Sequence, residues 1–541
     1  MELSPAFPFF QLPKNGKKLK FNAAPIYSGL PANKRSISCA LLIIIILSGL
    51  FLALTVHFSR AQTGTSVNGI ISSNATWTQA GSPYTFTGPV AVNKGVTLTI
   101  QTGVTVNIGS YYLQVNGTLV AIGTKTNPIQ FQSNIYGDIG ITFMPSSISW
   151  NQQAAAGCII KNAILTLSVE ITNASPLIDS DNITISGGTA ILASGSPIIS
   201  NNIINIQGSI GDQDEGIDLN NQGSPIISNN TICDLYGESF IGQGIVIDNT
   251  SGSTFPFGNT TISGNSISGW ATGIQTGYNT TVEGNLVFNN DGWTDDGAGI
   301  AISPAGTGNF ILNNTVINNP YGMIVDYPAT ISGNNIYYNN KYNVEDSTCN
   351  VNATHNWWGT TDTKAINQTI YDFKDNFNLG NVSFVPFLDS PNTQAPTFVN
   401  ASAGTGGSIS PSGIIRLNHG ASQTFTITPN TGYHIVNVLV NSASVGAVSS
   451  YSVKNVNGAT TISAIFAPNP TPTSSPSATP SPASSTSSSS SPTATPTVSP
   501  SASPSQTPAT PELPSVIFTL IVLMAASIAI VFCIRKSKGS A

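Results

Sequence analysis

Two short acidic runs are where this chain could do chemistry. GDQDEGIDL brings together Asp212, Asp214, Glu215 and Asp218, and NNDGWTDDGAGI brings together Asp291, Asp295 and Asp296. Loop carboxylates interleaved with backbone carbonyls are the oxygen donors calcium takes, so calcium is the cation such a set would hold. Carboxyl pairs also serve glycoside hydrolysis, one acting as acid while the other activates water. The same insertions carry rings at Tyr236, Phe240, Trp270, Trp293 and Tyr321. Rings aligned on one face can stack against the apolar faces of sugars while neighbouring Asn and Asp bond the hydroxyls. These residues predict a lateral face that binds an extended glycan. The competing readings are solvated loop charge and rings that tuck inward to pack the insertions.

A returning phrase tells what must position them. SPIISNN occurs at 196 and again at 224, followed by TTISGN, TTVEGN, FILNN and ATISGN, each closing on an Asn turn. Aligned on that turn, Asp181, Asn202, Asn230, Asn265, Asn285, Asn314, Asn334 and Asn356 are spaced 21, 28, 35, 20, 29, 20 and 22 residues apart. A base period of about twenty means stacked units, none of which buries its apolar face alone. The β-branched runs and the Gly/Asn punctuation exclude helix. A second phrase recurs out of phase, as in Gly216 Ile217 Asp218 Leu219 and Gly299 Ile300 Ala301 Ile302, so each coil holds at least two strands. Such coils make a parallel β-helix, with aliphatic side chains stacked inside and Asn at the bends, where it tolerates left-handed backbone. Both acidic insertions precede a Gly-Ile strand and so project from the same lateral face. Counted through Gly216, Gly244, Gly273 and Gly299 they lie three coils apart, roughly 14 Å at ordinary strand spacing.

These repeats resemble the right-handed parallel β-helix repeat family of prokaryotic surface and secreted proteins, in the superfamily that includes pectate lyases and the NosD-like copper-associated proteins. Residues 83–133 look like that family's entry coils, and HNWWGTTD at 355–362 with the segment to Leu388 is similar to its closing segment. The resemblance implies an all-β, right-handed parallel β-helix over 62–395. Enzymes of the superfamily that cleave acidic polysaccharides by elimination use carboxylate-held calcium and an Arg or Lys base. Residues 62–395 contain no Arg, and Lys161, Lys341 and Lys364 stand beside no acidic cluster. His355, the only histidine of that segment, reads as a capping residue next to the closing Trp pair. Copper handling needs soft or imidazole ligands, and Met323, Met144 and one His are too few.

The remainder describes an exported chain. Only 8% of residues are charged and 40% are apolar, with 50 Gly. The net charge of −6 and the lack of a basic stripe exclude nucleic acid as a partner. Residues 1–36 form a basic cytoplasmic region, and 37–61 a signal peptide or signal anchor built on the apolar run from Ile37 to Val56, with small residues Ser59 and Ala61 placed for cleavage. Residues 396–468 read as five short strands and resemble the divergent internalin B-repeat-like modules of prokaryotic surface proteins. Residues 469–513, almost wholly Pro, Ser and Thr, predict a disordered glycosylated stalk. Residues 514–541 predict a C-terminal transmembrane helix over Val516 to Ile534 with a basic tail, and Pro511 Glu512 Leu513 looks like an archaeal sorting signal. Sequons such as Asn74, Asn116 and Asn173 suit a glycoprotein. Five cysteines without short spacing form neither a disulfide framework nor a zinc site.

The expectation is a membrane-anchored cell-surface protein with an extracellular ectodomain, working in adhesion or carbohydrate binding. Its partners would be the membrane, extracellular glycans and surface proteins. A polysaccharide lyase or glycoside hydrolase, and a structural rod without a small ligand, are the rivals.

Overall fold

A computed structural model describes residues 64–133, 139–207, 214–220, 223–235, 242–248, 258–292, 297–302, 308–346 and 349–470. Every strand pair from Thr65 to Ser383 for which register is defined is parallel, and each strand meets its counterpart one coil later. This is a parallel β-helix. Each coil holds three strands, one more than the two phrases require. Face I carries strands such as Glu215–Asn220, Ala298–Ile302, Tyr321–Val325 and Tyr342–Asp346. Face II carries Thr231–Asp234, Leu286–Phe288 and Thr315–Ile317, and face III carries Thr280–Glu283, Asn309–Leu312 and Ala329–Ser332. Face III is a separate sheet of 13 strands; faces I and II are joined at the first coils by the long strand Tyr84–Val92.

The Gly-aliphatic phrase has a steric origin. On face I, Ile191, Ile217, Ile245, Ile274, Ile300, Met323 and Val344 pair coil by coil and are fully buried, forming an aliphatic stack along the axis. Five of these residues, Ile217, Ile245, Ile274, Ile300 and Met323, follow a glycine that faces main chain of the next coil, while Ile191 follows Ala190 and Val344 follows Asn343. A Cβ on Gly244, Gly273 or Gly299 would lie 2.6 to 2.7 Å from a carbonyl oxygen, so in these coils glycine lets the main chains approach to strand spacing.

The aligned Asn residues form one continuous ladder at the corner from face III to face II. From Asn230 to Asn356 each side chain does three things. Its Oδ1 accepts the backbone N–H of the ladder residue one coil earlier, for example Asn285 N to Asn314 Oδ1 at 2.9 Å. The same oxygen accepts that residue's Nδ2, at 3.0 Å for Asn285 to Asn314. Its own Nδ2 donates to an inward-strand carbonyl, at 2.8 Å from Asn314 to Val282 O. Tolerance of left-handed backbone belongs to the neighbouring position. Ser180, Asn201, Asn229, Gly264, Gly284, Asn313, Gly333 and His355, each just before a ladder residue, all have φ between 55° and 70°. The Asn-Asn and Gly-Asn pairs thus divide two jobs between two residues, and His355 is the bend residue of the closing coil.

Asp181 heads the ladder. Its Oδ1 accepts from Ala163 N at 2.7 Å, as an Asn would, but its buried Oδ2 stands where the others carry a donating Nδ2, and it has no hydrogen-bond partner. Burial pushes this carboxyl well above the usual range, and nearby Asp179 adds to the effect. Asp179 itself, despite its own burial, is held low by hydrogen bonds from Lys161, Asn201 and Ser200, with the Lys161 ion pair at 2.7 Å.

Residues 397–468 form a second β unit with eight strands, three more than the five expected. Thr397–Ala403, Gly413–Leu417, Tyr433–Val440, Ala443–Gly446 and Thr460–Pro468 make one sheet, and Gly407–Ser410, Ala421–Pro429 and Ser450–Val456 the other. Its core is Val399, Ile409, Phe425, Ile427, Val438 and Ile462. This unit packs on face II of the late coils, where outward residues turn apolar: Leu286, Phe288 and Ile317 are covered by Phe398 and Ile414. Arg416 donates to Gly284 O at 2.8 Å, and Thr315 Oγ1 donates to Pro396 O at 2.6 Å. Among the described residues no helix is long and apolar enough to cross a membrane. The apolar segments at 37–56 and 516–534, and the Pro/Ser/Thr segment from 471 onward, lie outside the described residues.

Candidate ligand-binding face

The outer surface of face I is built from two columns of outward side chains. One runs through Glu170, Leu192, Asp218, Val246, Gln275, Ala301, Ile324, Glu345 and Tyr371. The other runs through Thr189, Glu215, Gln243, Thr272, Ala298, Tyr321 and Tyr342. Register alone decides who stands in them, because in a strand alternate residues share a face. Early coils are acidic, middle coils carry amides and late coils carry phenols.

In the early coils Glu170 accepts from Thr142 and Thr172 hydroxyls, both at 3.4 Å, and Glu215 accepts from Thr189 Oγ1 at 2.8 Å. In the middle, Gln243 Nε2 donates to Gln275 Oε1 at 2.8 Å, holding two amides in one orientation across successive coils. In the late coils Tyr321, Tyr342 and Tyr371 form a ladder of half-buried rings, with centroids 6.3 and 5.0 Å apart. Lys341 caps it, its Nζ 5.1 Å from the centre of the Tyr321 ring. The Tyr342 phenol, neutral at physiological pH like any ordinary tyrosine, can donate a hydrogen bond, and desolvation first, then the charge of Asp375 and the neighbouring phenols, push it further up. Beside it Lys374 bridges Asp372 and Asp375 at 2.8 and 3.3 Å, and holds Asp372 low against its burial.

Of the five expected rings, Tyr321 stands on this face. Trp270 does not: it is fully buried, with its indole N–H directed at Ile232 O at 3.4 Å and its backbone N–H donating to Asn290 Oδ1. It follows the left-handed Gly269 and so occupies a corner position, which turns its side chain inward. Tyr236, Phe240 and Trp293 lie outside the described residues. Of the expected calcium ligands, Glu215 and Asp218 point outward on face I. Asp214 does not form an open loop ligand, because it is fully buried and its Oδ1 accepts from Gly188 N at 2.7 Å, fastening two coils together. Asp291 is exposed, and Asp212, Asp295 and Asp296 lie outside the described residues. Among the described residues no three His, Cys, Asp or Glu side chains converge as a metal site. The two insertions do open onto one corner, between faces II and I, and Glu215, Gln243, Thr272 and Ala298 confirm their three-coil separation.

Tyr342, Tyr371, Glu345 and the two Gln residues were not foreseen. The phrase YGMIV at 321 against YNVED at 342 carried the signal for the first two rings, since both open with Tyr at one coil's distance.

In comparisons with known proteins, residues 397–470 match the family described as the divergent InlB B-repeat domain. None of the curated proteins matches the chain. Among solved structures the chain is similar to a mutant of the periplasmic alginate epimerase AlgG, at 13% identity and TM-score 0.36 over 56% of this chain and 75% of that one. It is also similar to the Dettilon tailspike protein, at 13% identity and TM-score 0.24 over 69% and 76% of the two chains. An alginate lyase from Paenibacillus sp. is similar at 16% identity and TM-score 0.24, over 56% of this chain and all 100% of the other. The assignment of a parallel β-helix rests on the strand register described above, not on these likenesses.

Proposed function

We propose that this protein is a membrane-anchored cell-surface β-helix that binds an extracellular polysaccharide along face I. The observation that carries the reading is the ladder Tyr321, Tyr342 and Tyr371, flanked by Lys341 and Glu345. Coils repeat every 4.8 Å or about that, so a sugar chain running along the axis meets a ring in each of three successive coils. Phenol rings offer an apolar face with a polar tip, and the Glu and Gln columns beyond them supply acceptors and donors for hydroxyls. The apolar segment after a Pro/Ser/Thr-rich stretch supports a display role, with the ectodomain held away from the membrane.

Thermal melting of the full-length chain against a panel of polysaccharides, with released sugar read from the same wells, tests this. The expected result is a ligand-dependent rise in melting temperature without product, reduced by Tyr342→Ala. Product release would replace the binding reading with a lyase or hydrolase. No shift and no product across the panel would leave a structural rod.

A further inference from the structure

We infer that the polysaccharide taken by face I is an uncharged one, built of neutral sugars and not of uronates or sulfated sugars. The inference rests on the glycan-binding reading above and deepens it. Among the described outward positions of face I stand four carboxylates, Glu170, Glu215, Asp218 and Glu345, and no lysine or arginine. The cations at its edge are Lys341, at the corner before Tyr342 and drawn over the Tyr321 ring, and Lys374, which is paired with both Asp372 and Asp375. From Glu170 to Tyr371 the strip spans eight coil steps, roughly 38 Å at ordinary strand spacing.

A polyuronate laid along this strip would set one negative charge per sugar against fixed carboxylates in both early and late coils. A uronate lying directly over one of these carboxylates would sit within about 8 Å of it, the screening length at physiological salt, so that the repulsion there is not screened away. Anionic glycans are ordinarily held by the planar fork of Arg, and residues 62–395 contain none. A neutral sugar meets the opposite situation. Ionised carboxylates only accept, and sugar hydroxyls donate; the fixed Gln243 and Gln275 amides do both, and the neutral Tyr342 phenol can donate back. Rings at one end of the strip and acceptors at the other thus suit hydroxyl-rich, uncharged chains.

The experiment uses full-length protein in a detergent without a sugar headgroup. Binding is measured to neutral glucans and mannans and to the polyuronates alginate and polygalacturonate, each in calcium and in EDTA. The expected result is binding to at least one neutral polymer, with polyuronates about tenfold weaker or more at low salt. Tyr342→Ala should weaken the neutral interaction about tenfold. Glu215→Gln combined with Asp218→Asn should raise polyuronate binding severalfold at low salt, with melting confirming the fold. Polyuronates binding more tightly than every neutral polymer, with or without calcium, would overturn the charge inference and leave glycan binding standing. A folded protein that binds neither class would overturn both.

Discussion

The two Asn corners of the coil obey one rule and differ in how often it is kept. At the corner from face III to face II, every coil from Asp181 to Asn356 sets a ladder residue behind a left-handed one. At the corner from face II to face I the same device appears with Asn289 before Asn290, Asn318 before Asn319 and Tyr338 before Asn339, while Gly269 precedes the inward Trp270. Where the second ladder is missing, face II and face I are separated by long stretches in two coils, 207–214 and 235–242, and by only Ser186 to Gly188 in the coil before them. A corner amide satisfies main-chain groups of the adjacent coil, and a buried main-chain group without a partner is costly. An unbroken ladder therefore ties neighbouring coils together at every turn, yet it does not by itself keep loops out, because the insertion at 291–297 follows the ladder residue Asn290. The acidic insertions stand at this second corner, on the edge of the face that carries the tyrosines.

Breaking the first ladder should have the largest effect. Asn314→Ala removes the acceptor of Asn285 N and the donor to Val282 O from a fully buried site, and chemical denaturation should show a loss on the order of 3 kcal/mol. The matched change at the second corner, Asn339→Ala, acts on a half-buried amide that bonds Asn319 N and Val316 O, and should cost about 1 kcal/mol. Equal costs at the two corners would refute the distinction between them.

Asp181→Asn sharpens the comparison at the head of the ladder. Burial raises this carboxyl in the folded chain above its ordinary value of 3.8. The folded state thus holds the proton more tightly than the unfolded one. Stability from this site is fully present below 3.8 and is lost as pH rises through the raised folded value. The charged groups nearest the site, Asp179 and Lys161, are paired with each other. Asp181→Asn supplies the missing donor at every pH. Melting curves should coincide with the parent in acid and exceed it by about 1 kcal/mol in alkali; a constant offset at all pH values would contradict a buried, titrating Asp181.

The first ladder was legible because its Asn recurs at one fixed distance from the β-branched run, whatever is inserted elsewhere in the coil. Coil number, the aliphatic stack and the shared corner of the acidic insertions followed from it. The second ladder was not legible, since its Asn pairs are scattered among other Asn-rich segments and its first position holds Trp270. Its place after a variable stretch gives Trp270 the look of a loop ring, yet following the left-handed Gly269 at a corner it turns inward. Tyr371 was hidden for another reason: it joins the ring ladder by pairing with Glu345, one column away from Tyr321 and Tyr342, so no constant period links the three. The apolar patch of Leu286, Phe288 and Ile317 was hidden in the same way, because outward residues become a docking surface only when the second β unit is laid on them.

The account turns on face I being the surface that meets the ligand. Hydroxyl-radical footprinting of the full-length chain, with and without a bound neutral polysaccharide, tests this residue by residue. The account predicts protection of Tyr321, Tyr342 and Tyr371, with the exposed Phe310 of face III and Tyr433 of the second β unit unchanged. Protection confined to Phe310 or Tyr433, with the three face I tyrosines still fully reactive, would contradict it.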